Sequence, residues 1–186
     1  MSKVIIPLAI GFEEIEAVSI IDILRRAEIE VVTSALTENL LVTGANGITI
    51  QAQTIIQDID ENHFDMIVLP GGGEGTENLA KNLHVQNLLK AFDKKGKNIG
   101  AICAAPYALH TAGVLKKNYT CYPSFEKKIK EEGFQGDKFM VVEDENILTS
   151  RGPATAICFA LEIVKKLQGK EIYENVKSGL LATYCK

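Results

Sequence analysis

Asn98-Ile99-Gly100-Ala101-Ile102-Cys103-Ala104-Ala105-Pro106-Tyr107-Ala108-Leu109 changes character at its middle. Asn98–Ile102 reads as a buried strand, and Pro106–Ala112 reads as a helix closed by Gly113. A thiol stands where one turns into the other. Small residues flank it on both sides, as a sharp strand–nucleophile–helix elbow requires, because bulky neighbours would clash in so tight a turn. A helix N-terminus behind the sulfur favours the thiolate and is expected to lower its pKa. The residues alone leave a second reading open, a buried core cysteine of the ordinary kind.

Outward from this junction the same alternation runs from end to end. Strands are expected at Lys3–Ala9, Glu30–Ala35 and Asp65–Leu69, and a small hairpin at Leu40–Val42 and Ile48–Gln53. A second hairpin is expected from Phe139–Val142 and Ile147–Ser150. Helices are expected at Glu14–Ala27, Val85–Lys95, Ser124–Glu132, Ala154–Leu167 and Lys170–Leu181. On the first of these, Ile15, Val18, Ile21 and Leu24 fall on one face, with Asp22 and Arg26 paired at i,i+4. Continuous Val/Ile/Leu strands alternating with helices imply one α/β domain over residues 1–186, a mostly parallel sheet with helices on both faces. In such sheets ligands bind beyond the carboxyl ends of the strands. That selects Gly11–Glu16, Gly71–Gly75 and Cys103–Ala105.

The 20 basic and 24 acidic residues leave a net charge of −4, and no basic run supports nucleic-acid binding by bulk charge. Lys127, Lys128 and Lys130, followed by Glu131 and Glu132, read as a solvated helix face. No stretch reaches the roughly 18 apolar residues a membrane span needs. The expected setting is cytoplasmic, with Cys103, Cys121, Cys158 and Cys185 all free thiols.

Glu13, Glu14 and Glu16 follow the first strand. Acidic residues suit a first helical turn on macrodipole grounds. Glu16 falls near the face expected to pack on the sheet, where burial raises a carboxyl pKa. A protonated Glu beside a thiolate can donate a hydrogen bond and then shuttle a proton. Gly71-Gly72-Gly73-Glu74-Gly75 lacks the Gly-Lys-Ser/Thr continuation of a nucleotide loop, so a backbone amide from Gly72 aimed at an oxyanion is the stronger reading. His63, His84 and His110 are not placed to assist Cys103, and no spacing suggests a metal site.

Four segments, Gly11-Phe12-Glu13-Glu14-Ile15-Glu16, Val68-Leu69-Pro70-Gly71-Gly72, Ala101-Ile102-Cys103-Ala104-Ala105-Pro106 and Leu148-Thr149-Ser150-Arg151-Gly152-Pro153, occur in this order along the chain. In them the sequence resembles the ThiJ/PfpI superfamily, and within it the parkinsonism-associated DJ-one branch with its bacterial ThiJ-like relatives. The resemblance implies a flavodoxin-like sandwich and a homodimer. It implies that Cys103 is the oxidisable catalytic thiol, Glu16 its protonated partner, and Gly72 and Ala104 the oxyanion amides. Glu13, Arg26, Ser150 and Arg151 match positions near the family's site and dimer contact. Where some members carry His-Pro, this chain has Tyr122-Pro123, so a histidine base is missing; Ala104 after the cysteine argues against the peptidase branch.

The expected function is a cofactor-independent glyoxalase or deglycase acting on methylglyoxal, glyoxal or glycated side chains. The alternatives are a redox-sensing stress protein or chaperone whose Cys103 becomes a sulfinate, and a partner-binding domain that does no chemistry.

Overall fold

The computed structural model describes residues 1–185. In chain order its elements begin with β1 (Lys3–Leu8), α1 (Glu14–Arg26), β2 (Glu30–Ala35), β3 (Leu41–Thr43), β4 (Thr49–Gln51) and β5 (Thr54–Ile55). Then come β6 (Met66–Leu69), α2 (Gly73–Lys81), α3 (Leu83–Lys94), β7 (Asn98–Ile102) and α4 (Pro106–Thr111). The last are β8 (Val141–Asp144), β9 (Ile147–Ser150), α5 (Ala156–Gln168) and α6 (Lys170–Gly179). The central sheet runs β5-β2-β1-β6-β7-β9-β8, with every pairing parallel except the β8–β9 hairpin. β3 and β4 form a separate antiparallel pair.

Side chains alternate across the sheet because a strand repeats every two residues. Val4, Ile6 and Leu8 face a layer formed by α1, α5 and α6, in which Phe159 is fully buried. Ile5, Ile67, Leu69 and Ile99 face the other layer, where α2, α3 and α4 pack around Phe92. Each such side chain contributes about 2 kcal/mol on removal from water. The chain builds from β1 outward to β2 and β5, then returns to place β6 on β1's other side. The carboxyl ends of β1 and β6 therefore diverge into the crevice where open parallel sheets bind ligands.

Three expectations give way, and one helix forms that the sequence pattern did not announce. α1 buries Glu16, Ala17, Ile20, Ile23 and Leu24, whereas Ile15 and Val18 are 59% and 48% exposed, so the apolar stripe read from the sequence mixes two faces. Both sets fit a 3.6-residue period, which cannot decide between them. Ser124–Glu132 is not a helix: only Phe125–Lys127 makes a 3-10 turn, and Ser124 has φ 81° with no capping bond. Tertiary ties override the local pattern there. The Tyr119 hydroxyl donates to the Lys130 carbonyl, and Lys128 pairs with Glu77 at 3.3 Å. Conversely, α2 forms despite its glycines, since Gly75 lies so close to Gly11 that an added Cβ would stand 2.8 Å from the Gly11 carbonyl oxygen. Finally, Cys158 and Cys185 are joined in a disulfide, not free; the α5–α6 turn brings together residues whose spacing gives no hint of it. No helix among the described residues is long and apolar enough to cross a membrane.

Glu14 fixes the β3–β4 hairpin to the start of α1. It is buried and accepts from the Asn46 N–H at 2.6 Å, the Asn46 side-chain amide at 3.0 Å and the Ile48 N–H at 3.3 Å. Burial raises its pKa, but these donors outweigh that and hold it below the usual value. A depressed carboxyl stabilises above the unfolded-state pKa and loses that contribution as pH falls through the folded one. Glu14→Ala should cost about 2 kcal/mol in urea unfolding at neutral pH, and the difference from wild type should shrink on acidification.

Candidate active site

β7 ends at Ile102, and Cys103 then takes a left-handed backbone conformation, φ 63°. For a residue with a Cβ this costs roughly 1 kcal/mol or more, and it persists only where the surroundings enforce it. Here both sides of the peptide are held: the Cys103 N–H donates to the Ser150 carbonyl at 3.0 Å, and the Cys103 carbonyl accepts from the Tyr122 N–H at 2.8 Å. The turn lifts the side chain out of the strand register. The backbone amides of Gly72 and Ala104 lie near its thiol and favour the thiolate, and the residue stays 8% exposed.

Glu16 approaches from α1 and is fully buried. Its Oε2 accepts the Gly71 N–H at 2.8 Å, while Oε1 is buried with no hydrogen-bond partner among the described residues, and the Cys103 thiol close by favours the charged carboxyl. Gly71 lies between them. A Cβ there would stand 2.7 Å from the Cys103 Cβ and 2.8 Å from Glu16 Oε2, so both side chains press on one point that only glycine leaves empty. Gly72, at φ 94°, is equally confined, because a Cβ would come within 2.2 Å of the Gly11 carbonyl oxygen.

Burial pushes the Glu16 carboxyl up to about 7, against the lowering effects of the Gly71 N–H and the thiol. Burial likewise pushes the Cys103 thiol up, reinforced by the charge of an ionised Glu16; the Gly72 and Ala104 amides pull it down. The Ala104 amide, beside the start of α4, pulls the thiol in the expected direction, but burial and the Glu16 charge outweigh it. What remains is a pair in which each group opposes the other's charge. When Glu16 keeps its proton, the like charge that opposes the thiolate disappears and an O–H donor takes its place, while burial continues to favour the neutral thiol.

The other residues fall into two groups. Glu13 caps α1, accepting the Glu16 N–H at 2.8 Å, and its charge adds to the upward push on Glu16. Ser150 supplies the carbonyl that holds Cys103, while its hydroxyl bonds the Met140 carbonyl at 2.6 Å and Thr155 Oγ1 at 2.7 Å. Tyr122 and Arg151 stand beside these contacts. They line an open groove of about 430 Å³ with Phe139, Met140 and Pro153, and Arg151 reaches Asp137 at 3.5 Å. A larger concavity, about 520 Å³, lies elsewhere, between the sheet edge and the residues after α6. Arg26 does not join the site within this chain: it pairs with Asp22 at 2.7 Å at the far end of α1, about 15 Å along the helix from Glu16. His63, His84 and His110 are all exposed. Among the described residues no three His, Cys, Asp or Glu side chains gather as metal ligands. The sequence reading singled out Gly72 but passed over Gly71, for which only the glycine run was a signal.

The model of the DJ-1/PfpI family matches residues 2–166. Protein dj-1beta of Drosophila melanogaster is 39% identical over 186 residues, 99% of this chain and 100% of the fly protein. The glutathione-independent glyoxalase DJ-1 of Schizosaccharomyces pombe is 33% identical over 188 residues, 97% of this chain and 98% of that one. Protein DJ-1 homolog B of Arabidopsis thaliana, 39% identical over 171 residues, is longer, and this chain spans 39% of it. The crystal structure of Drosophila DJ-1beta superposes with a TM-score of 0.93 at 38% identity, covering 97% of this chain and 98% of that one.

Two measurements test the geometry. Gly71→Ala should slow alkylation of Cys103 by about tenfold or more, since the added methyl must displace the thiol, the carboxyl or both. The second concerns stability. Glu16's folded pKa of about 7 lies above the reference 4.5, so its contribution is complete below 4.5 and is lost as pH rises through 7. Glu16→Gln should therefore gain on wild type between those values, by up to about 3 kcal/mol, read as urea midpoints at pH 5 and 8.

Proposed function

The chain belongs to the DJ-1/PfpI family, and on that premise we propose that it is a cysteine enzyme acting on methylglyoxal, glyoxal or their adducts on protein side chains. The observation that carries this reading is the meeting of the Cys103 thiol, the Glu16 carboxyl and the Gly72 and Ala104 amides around one point. The glyoxalase relative from Schizosaccharomyces pombe supports it.

The steps follow from where the proton sits. Glu16 holds it while Cys103 is the thiolate. The sulfur adds to the aldehyde carbon, and the carbonyl π pair moves onto oxygen, where the two amides and the carboxyl O–H meet it. Glu16 gives its proton to that oxygen, leaving a hemithioacetal and a carboxylate. The carboxylate removes the C1 hydrogen to form an enediol, whose C2 is then protonated while C1 becomes a thioester carbonyl. Water cleaves the thioester, releasing lactate, or glycolate from glyoxal, and restoring the thiol. Water is the sole co-reactant, so no cofactor enters. Tyr122 replaces the histidine of other members, leaving Glu16 as the one proton shuttle. A reaction that needs an unoxidised thiolate suits the cytoplasm.

The exposed Ile15 and Val18 of α1 are the apolar surface we assign to a homodimer contact. Val18→Glu should then shift the sedimenting species toward monomer with Cys103 alkylation unchanged.

A second reading is favoured by the shielding of the sulfur among three donors. Two equivalents of hydrogen peroxide would convert the thiolate to a sulfinate with loss of two waters, and the same donors would hold the new oxygens. A redox-sensing stress protein or chaperone would use this product as its signal.

Purified protein incubated with methylglyoxal should yield lactate. Cys103→Ala should abolish turnover and Glu16→Gln should lower kcat by about 10² or more; full turnover in Cys103→Ala would reject the mechanism. If turnover is absent in the wild type while peroxide adds two oxygens selectively to Cys103, the second reading stands alone.

A further inference from the structure

Cys158 lies on α5, and Cys185 lies in the segment that follows α6. Their Cα atoms are 5.2 Å apart across a separation of 27 residues, and their sulfurs are bonded. Both are nearly inaccessible in this state, at 4% and 2% exposure. The segment is otherwise weakly tied. The Leu180, Leu181, Ala182, Thr183 and Cys185 N–H groups donate to Val176, Ser178, Lys177, Leu181 and Ala182 carbonyls, all within α6 and the segment itself. Among the described residues none of these bonds reaches α5 or the sheet. Apart from the disulfide, what holds the segment down is apolar contact, chiefly of Ala182 and Cys185 with the α1–α5 layer. Leu181 projects into solvent with φ 55°. Behind the segment is the cavity of about 520 Å³, walled by Phe139, Met140, Val141 and Leu148 opposite Tyr184 and Cys185.

We propose that Cys158 and Cys185 form a second redox site, separate from Cys103, that exchanges with low-molecular-weight disulfides and thereby latches or frees the segment after α6. In the closing direction the Cys185 thiolate attacks one sulfur of glutathione disulfide. The S–S bond of the oxidant breaks and one glutathione thiolate leaves. The Cys158 thiolate then attacks the Cys185 sulfur of the mixed disulfide and expels the second. Two electrons pass from the cysteine pair to the oxidant, and the two protons the cysteines lose end on the released thiols. Two glutathione thiols reverse the sequence. Cys185 reacts first because the freed segment brings it to solvent, whereas Cys158 stays on a packed helix. Opening removes one wall of the cavity and exposes the apolar rim of β8 and β9. The proposal is independent of the chemistry at Cys103.

The test equilibrates the native wild-type protein in buffers of oxidised or excess reduced glutathione, quenches in acid, and maps alkylated cysteines by mass spectrometry after denaturation. Two free thiols, Cys103 and Cys121, are expected under oxidised glutathione and all four under reduced, interconverting reversibly. Chymotrypsin cleavage after Leu181 or Tyr184 should quicken by about tenfold on reduction, as local opening of the segment becomes easier. Cys185→Ser should be cut at the fast rate in both buffers with unchanged far-UV circular dichroism, and Cys158→Ser is the second variant should the first fold poorly. A bond that resists excess reduced glutathione in the native protein would mark a structural staple and overturn the switch. So would four thiols under oxidised glutathione, or cleavage that ignores reduction.

Discussion

A carboxyl group with no access to water shares its surroundings with a thiol, and the site cannot accommodate the charge of both. Burial opposes ionisation of Glu16 and of Cys103, and each charged form opposes the other. Backbone donors relieve this asymmetrically: Gly71 serves the carboxyl, Gly72 and Ala104 the sulfur. The position of one proton is then the variable on which the site's chemistry turns. The fold meets the demand by bringing three loops to the carboxyl edge of one sheet, at the place where β1 and β6 diverge. Gly71, Gly72 and the left-handed Cys103 are where the backbone yields so that these loops can close on one another.

Much of this could be read from residue order. Strands of uninterrupted Val, Ile and Leu named a parallel sheet, and the change of character at Cys103 marked the elbow. The Asp22–Arg26 pair forms as helical spacing requires. Glu16 was selected for its burial, yet through the wrong neighbours. Ile15 and Val18 are outward, and the face that carries Glu16 inward is that of Ile20, Ile23 and Leu24. Periodicity reports that a face exists, not what covers it. The failures share a cause, which is information held by distant parts of the chain. The Ser124–Glu132 segment loses its helix to contacts with Tyr119 and Glu77, the α2 glycines gain one by close approach to Gly11, and Cys158 finds Cys185 only after α5 and α6 have folded back.

The three acidic residues of one helical turn show how little residue type alone decides. Glu13 accepts the free Glu16 N–H and terminates the helix. Glu14 is ringed by amide donors from the β3–β4 hairpin and is held in its charged form. Glu16, two positions on, meets a single amide and a sulfur and is held toward neutrality. Number and kind of donors separate a structural anchor from a chemical group where sequence spacing shows only three carboxylates.

α1 carries Glu16 on its inner side and, on adjacent positions, the solvent-facing Ile15 and Val18. A helix is stiff across a single turn, so the contacts that tie α1 to the sheet also fix where its inner carboxyl stands. One turn thus has two addresses: an outward apolar pair open to other surfaces, and an inward acid whose place is set by the core beneath it.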